Sequence, residues 1–512
     1  MATTTGLPRV AVAAGGMPLP GDALRALGQV RVQQRLSQPA LCELTFYDPP
    51  GPLTAASLLQ LGMELRVSVD GWQVPLFEGE ITAIEHAYGP ASGRELHVRG
   101  YDRLHRLRKR GEPHAYVQVD LQDLAEELVS DLGIAVLAAE RGPMWPRIIQ
   151  HRQSDFELLE EWAGQCGMYL TLREGVLHLI TLEGMGSPLP LALGEQLLEA
   201  RVEASAEPAC RSVTASGWNP LQVEAYAGRA ASPRVGRQVL AEAAPDRVGG
   251  SDWSQQTGHR HRPGETLRDH RHAEAVAQSE LDRRAAREVT LWGLAEGDPR
   301  LQPGRPLIVT GIAERFAGRY TLTTTTHTID TRKGFVSEFS TAVPPPHEIT
   351  PGAVAALGVV TRVDDPDRLG RVRVSLPAYG DVETEWMHVM TAGAGENKGL
   401  MILPDVSDRV LVLFSHGDPG QGVVLGALYG ARGTPDSGVE GTAVNRYTLL
   451  TPGGQRILMD DARHRIRVAD STGSYVELSP ERVRLHAAVD LELEAPGKSV
   501  TIRGQRIDFE RE

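Results

Sequence analysis

The stretch RIRVADSTGSYVELSPERVRLHAAVDLELEAPGKSVTIRGQRIDFE, residues 465–510, decides how this chain is built. Apolar pairs two residues apart recur along it: Ile466 and Val468, Val476 and Leu478, Val483 and Leu485, Leu491 and Leu493, Val500 and Ile502, Ile507 and Phe509. Successive pairs start 10, 7, 8, 9 and 7 residues apart, with turn or polar residues between them, such as Ser471–Gly473, Ser479–Pro480, Ala495–Lys498 and Gly504–Gln505. From Val483 to Ala495 every odd position is apolar and the even ones are mostly charged or polar. Alternation of period two on a regular repeat is a strand signal. Each such strand buries only one narrow face, so one copy cannot close a core. Several copies wound about one axis can, each pairing with its neighbours and leaving no free edge. An ordinary β-meander packed on the preceding domain is the competing reading.

Upstream of this region the strands are also short. GVVTRV, GRVRVSL, EWMHVM, GLMIL, RVLVLF and GVVLGALYG follow one another across 358–430, separated by turns such as DDPDRLG and SHGDPGQG. Five or six short strands in about 70 residues predict a small closed barrel, because closure removes exposed edges. Two linkers bracket it: VPPPHEITPGA at 343–353, where consecutive prolines stop any regular element, and ARGTPDSGVEGT at 431–442. Before the first linker, strands are predicted around Val30–Val32 and Leu41–Phe46, and MELRVSVDGWQVPLFEGEITAIEHA (63–87) reads as a hairpin turning at Asp70-Gly71. Asp120 caps a helix over LQDLAEELVSDLG, ending at Gly133. Ser154 and Glu157 form a capping-box pattern before the stripe Leu158, Leu159, Trp162 and Cys166. Residues 225–265 predict a long loop, and 267–289 a third helix.

Composition narrows the function classes. The 512 residues carry 53 Lys+Arg against 66 Asp+Glu, a net charge of −13, which disfavours gripping a nucleic-acid backbone. The 54 glycines and 34 prolines fit a chain of many turns. Cys42, Cys166 and Cys210 are odd in number and far apart, so neither a disulfide framework nor a CxxC metal site is written here. The opening MATTTGLPRVAVAAGGMPLPG lacks a basic start and is interrupted by Pro8, Pro18 and Pro20, so no signal peptide is expected and folding in the reducing cytoplasm is.

Candidate chemistry is thin. His259, His261, His270 and His272 sit in GHRHRPGETLRDHRH with arginines interleaved, whose charge opposes a cation, so a solvated or interface loop is expected rather than a metal site. Asp460-Asp461 and Asp364-Asp365 lie in turn contexts that favour local hydrogen bonds. GAGENKG at 393–399 lacks the strand-to-helix setting of a phosphate loop and reads as a turn. The basic run Arg103, Arg106, Arg108, Lys109 and Arg110 reads as a solvated face or a contact for an acidic neighbour. Trp386 is expected in a core, leaving few aromatics on which nucleobases could stack. No catalytic residue, cofactor or metal ligand is assigned.

These residues carry a resemblance. GRVRVSLP (370–377), Trp386 in EWMHVM, AGAGENKGLMILPDVSDRVLVLFSHGDPGQGVVLGALY (392–429) and the repeat after them are similar to the spike half of VgrG proteins, from type VI secretion and phage-tail-like contractile systems. IIQHRQSDFELLEEWAGQCGMYLTLREGVLHLI (148–180) resembles the hub half, and GYDRLHRLRKR (100–110) the late-control protein branch of phage hubs. The resemblance implies a mainly β chain with a few helices. It further implies a hub of two related β-barrel subdomains with inserted helices at 1–345, an oligonucleotide/oligosaccharide-binding (OB) barrel at 354–432, and a triple-stranded intertwined β-helix at 443–512.

It implies a homotrimer that joins the inner tube and baseplate to a piercing tip, with a PAAR-type tip protein, possible effector cargo, transient contact with a target membrane and no nucleic acid. Only short linker 431–442 stands where hydrolase-bearing relatives carry an insert, and the chain stops at Glu512, so a plain spike of a phage tail-like particle is expected. Val483, Leu485, Val489, Leu491, Leu493, Val500 and Ile502 are the expected trimer core, and Ile507 and Phe509 the docking point for the tip protein. Two other classes compete. A tail-associated cell-wall or polysaccharide hydrolase would need two spaced carboxylates in a cleft. A receptor-binding adhesin would need an exposed aromatic patch, and aromatics are only 5% of the chain.

Overall fold

The computed structural model describes residues 8–49, 58–89, 93–239, 258–265, 267–345, 352–396, 398–414, 417–430, 433 and 436–510. The chain divides into two compact units, Met1–Ala427 and Leu428–Glu512. It is mainly β, with few helices.

An eleven-stranded sheet frames the first unit. Its order is Leu197–Ala204, Val289–Glu296, Gly334–Ser340, Thr324–Asp330, Leu27–Arg35, Leu41–Tyr47, Gly93–Tyr101, Phe77–Gly89, Glu64–Val69, Val10–Ala14 and Met17–Pro18. Strands from opposite ends of the first 340 residues therefore share one sheet. They meet where Thr324 faces Arg35 and Asp330 faces Gln29 in antiparallel register. Local sequence sets each strand: Leu65, Val67 and Val69 all point into the core, and the chain then turns at Asp70-Gly71, where Gly71 holds φ +87°. One core gathers Val30, Leu44, Phe46, Leu65 and Val98. A second gathers Leu191, Leu291, Leu307, Tyr320 and Phe339, between the large sheet and a four-stranded one.

Among the described residues, four α-helices decorate this frame: α1 (Gly21–Ala26), α2 (Leu121–Val129), α3 (Asp155–Gln165) and α4 (His270–Glu288). Asp120 caps α2 with a capping box completed by Asp123, and Ser154 with Glu157 forms the box that starts α3. Leu121, Leu124 and Leu128 of α2 and Leu158, Leu159 and Trp162 of α3 share one core with Trp145 and Leu179. At roughly 1.5–3 kcal/mol per buried large apolar side chain, this packing rather than helix propensity holds α2 and α3 in place. Helix α2 stops at Val129, before the Gly133 expected to end it, because the chain turns from Ser130 onward.

One other expectation needs correcting. Residues 225–265 are not one loop: Ser212–Asn219, Glu224–Ala230 and His259–Glu265 form a three-stranded sheet packed on α4, and 240–257 lie outside the described residues. The basic run is solvated, with Arg103, Arg106, Arg108 and Lys109 exposed, and Arg106, Arg108 and Arg110 also find partners within the chain. Arg103–Lys109 is a 3₁₀ turn with Leu104 and Leu107 buried, Arg106 pairs with Glu80, Arg108 lies over Phe156, and Arg110 reaches Asp131 at 2.7 Å and Asp155 at 3.1 Å.

The OB barrel completes the first unit. Its sheet runs Val382–Glu383, Arg371–Leu376, Val354–Arg362, Arg409–Phe414 and Gly422–Leu428, and Met387–His388 pairs with Arg371–Val372. A bridge between Val389 and Val424 links that last pairing to the final strand and closes the ring. Val360, Val372, Val374, Val410, Val412 and Phe414 fill it. Asp365 shapes the 363–370 turn by accepting from the backbone N–H groups of Asp367 and Leu369 and from the Arg371 guanidinium, so this acidic pair serves the turn. Trp386 is buried beneath Arg362 and Arg373. The linkers expected at 343–353 and 431–442 fall partly outside the described residues.

The second unit is built on a five-stranded antiparallel meander: Arg446–Leu450, Arg456–Asp460, Arg465–Ala469, Tyr475–Leu478 and Val483–His486. Beyond His486 the described residues to 510 form no strand within the single chain.

Candidate functional site: the assembly surface of the second unit

The meander's register sorts its side chains onto two unlike faces. Across neighbouring strands Tyr447 faces Met459, Met459 faces Ile466, Ile466 faces Leu478 and Leu478 faces Val483. A second row runs Leu449, Ile457, Val468, Val476 and Leu485. Because side chains alternate along a strand, these ten apolar residues share one face. Each is between 39% and 72% exposed. A soluble sheet normally turns such a face into a core, so ten uncovered residues in two rows mark a contact surface.

The opposite face is mostly polar, and its charged side chains pair within the chain. Arg465 stands 3.6 Å from Asp460 and 3.7 Å from Glu477, and Arg467 stands 3.8 Å from Glu477. The Arg467 guanidinium also lies 4.0 Å from the centre of the Tyr475 ring, whose centre is 5.0 Å from that of the tilted His486 ring. Asp460 accepts the backbone N–H of Arg463, so the Asp460-Asp461 pair belongs to a turn. At the entrance to the unit Arg446 grips Asp436 through Nε at 2.9 Å and a second nitrogen at 3.1 Å. That guanidinium, helped by the Gly438 N–H, holds the Asp436 carboxyl down to about 2.

Of the residues singled out in the sequence, Val483 and Leu485 lie on the last strand of the apolar face. Val489, Leu491, Leu493, Val500 and Ile502 lie beyond it, exposed, and Ile507 and Phe509 are exposed near the end, Phe509 by 91%. The sequence reading did not name Tyr447, Leu449, Ile457 and Met459, although Ile457 and Met459 are themselves an apolar pair two residues apart ahead of Ile466.

The histidine cluster is dispersed. His259 and His261 stand on a strand and meet Ser212 and Ser216. His270 opens α4, whereas His272 is buried one turn in, its Nε2 donating to Gln165 at 2.8 Å. Burial first, and then the Arg268 charge, push its imidazole down to about 3, so it is neutral at physiological pH. No group of three His, Cys, Asp or Glu side chains able to hold a metal is assembled among the described residues. No helix among them is long and apolar enough to cross a membrane.

Residues 356–429 match the type VI secretion system/phage-baseplate injector OB domain, and residues 52–331 match the Alg8 N-terminal domain. The type VI secretion system spike protein VgrG4b of Pseudomonas aeruginosa is 30% identical over 131 residues, which are 24% of this chain and 15% of that relative's length. Among solved structures, the fold is similar to the Escherichia coli c3393 protein, a component of the type VI secretion system (TM-score 0.53, 14% identity, 81% of this chain and 99% of that one). It is also similar to the Francisella PdpA–VgrG complex (TM-score 0.55, 8% identity, 94% of this chain and 81% of that one).

Proposed function

We infer that this chain, whose residues 356–429 match the injector OB domain and whose residues 52–331 match the Alg8 N-terminal domain, is the hub and spike of a contractile injection system or phage tail, of the VgrG and phage-tail hub–spike kind. It works as a mechanical part, not as an enzyme. Three copies associate through the second unit and turn the Tyr447–Leu485 face inward. Each chain then supplies what the others lack, because rows of Val, Leu, Ile and Met cover one another and the polar faces meet water. Val489, Leu491, Leu493, Val500 and Ile502, which find no strand partner within one chain, pair with the other two copies and continue the needle. Thrust along the needle is resisted because sliding one chain past another must break many interchain bonds together. Ile507 and Phe509 seat a separate PAAR-type tip protein, and the hub meets the inner tube and baseplate. Effector cargo and brief passage through a target membrane complete the set of partners.

One observation carries this reading: ten apolar side chains in register on one side of a meander whose other side is mostly charged and polar. Half-covered residues of this size gain roughly 1 kcal/mol each when the rest of their surface is buried, so three copies gain enough to associate stably. Size-exclusion chromatography with light scattering tests it. A mass of three chains is expected, and a well-folded monomer at micromolar concentration refutes it. A cell-wall zymogram separates the hydrolase reading, since a mechanical spike leaves no cleared zone.

A further inference from the structure

We propose that the hub is clamped to the OB barrel by two buried arginines, Arg147 and Arg268, together with Leu221 at the tip of a hub hairpin, so that the two parts open and unfold as one body. This goes beyond the assembly reading, since the joint lies within one chain and holds whether or not three copies associate.

Arg147 projects from the strand Trp145–Gln150. Its Nε donates to Glu385 Oε1 at 2.9 Å, and one terminal nitrogen donates to the Glu383 carbonyl. Arg268, just ahead of α4, donates through one terminal nitrogen to the carbonyl of Arg147 and through the other to Asp418 Oδ2 at 2.8 Å. Each arginine thus comes from the hub and each carboxylate from the barrel, and the two arginines are tied to each other. Their side chains are only 9% and 7% exposed, those of Glu385 and Asp418 18% and 24%. Charges so far removed from water hold their place only with matched geometry, and stranding one of them is costly.

Arg268 is fixed from three further directions. Asn219 Nδ2 donates to its carbonyl at 2.8 Å, its own N–H donates to His272 Nδ1 at 3.4 Å, and its guanidinium lies 5.2 Å from the centre of the Trp162 ring. Gly420 lets it approach: a Cβ there would stand 2.8 Å from Arg268 Nη2. Asn219 also accepts the N–H of Leu221 at 2.8 Å, shaping the hairpin tip whose Leu221 packs against the barrel core. Val223 of the same tip sits at φ +58°, a left-handed backbone that a β-branched residue avoids unless its surroundings impose it. Elsewhere on the joint His151 lies 5.3 Å, ring to ring, from Tyr379.

The test uses the full chain and hydrogen–deuterium exchange, comparing barrel amides in 371–388 with hub amides in 27–35. Arg268→Met is expected to speed barrel exchange by more than about a hundredfold, the scale for stranding a largely covered carboxylate such as Asp418, with the hub amides unchanged. Asp418→Asn added to Arg268→Met removes the stranded charge and is expected to restore at least tenfold of that protection. Parent-like exchange in Arg268→Met overturns the proposal. So does a double variant no better protected than the single one, because general packing would not show that coupling. Should Arg268→Met fail to fold, Asp418→Asn alone decides: about tenfold faster barrel exchange supports the clamp, and unchanged exchange overturns it.

Discussion

Replacing Val468 by aspartate separates the assembly reading from any account in which the second unit stands alone. Val468 lies mid-face, between Ile457 on one neighbouring strand and Val476 on the other, and is about half exposed in the single chain. In an isolated meander a polar residue at this site is nearly neutral, within about 0.5 kcal/mol, as for other surface substitutions. In the assembly the same position meets its two symmetry copies. About 1 kcal/mol of apolar transfer is then lost per chain. Burying an uncompensated polar group adds at least about 2 kcal/mol per chain, and more for a charge. Three chains together lose at least about 9 kcal/mol, a factor of roughly a million in the association constant. Light scattering at 1–10 µM, as in ordinary chromatography, reads this directly: parent and Val468→Ile elute as three chains, Val468→Asp as one chain with unaltered circular dichroism. A Val468→Asp protein that keeps the parent mass refutes the reasoning.

Leu491→Asp, in the stretch without intrachain strands, is expected to lower the temperature at which the three chains separate while leaving hub unfolding in place, as followed by calorimetry. Glu161 on α3 has its carboxyl pushed up to about 7 from an ordinary 4.5, by burial first and the Asp418 charge second. The folded state therefore holds that proton more tightly, and the stability it lends is full below about 4.5 and lost as pH rises through about 7. Glu161→Gln should accordingly gain in Tm over the parent at pH 8 but not at pH 4, and a pH-independent difference counts against this. Ser154→Ala breaks the capping box of α3 and should cost about 1 kcal/mol in denaturant unfolding, whereas Ser154→Asp should retain most of it.

What the sequence revealed was local. The box at Ser154 and Glu157, the turn at Asp70-Gly71 and the alternation from Ile466 to Leu485 each rest on residues a few positions apart, and each stands in the structure. The contacts that organise the first unit leave no such trace. Arg147 and Glu385 are 238 residues apart and Arg268 and Asp418 150, and no local pattern reports a pairing at that range. The GHRHRP stretch misled for a related reason. Polar and arginine-rich, it lacks the apolar alternation of a strand, yet pairing with Ser212–Asn219 makes it one. The face from Tyr447 to Leu485 was legible in part, because the repeat was counted from Ile466 although the register begins two strands earlier.

The seam between Gln29–Arg35 and Thr324–Asp330 has a consequence for how the chain is made. On the ribosome the early strand emerges some 300 residues before Thr324–Asp330, the neighbour that covers that side of it among the described residues. Through all of that interval a hydrogen-bonding edge lies open, which is the condition under which nascent β proteins stick to one another. Synthesis halted before residue 324 would leave that edge bare, so incomplete chains carry an aggregation hazard that the finished seam removes.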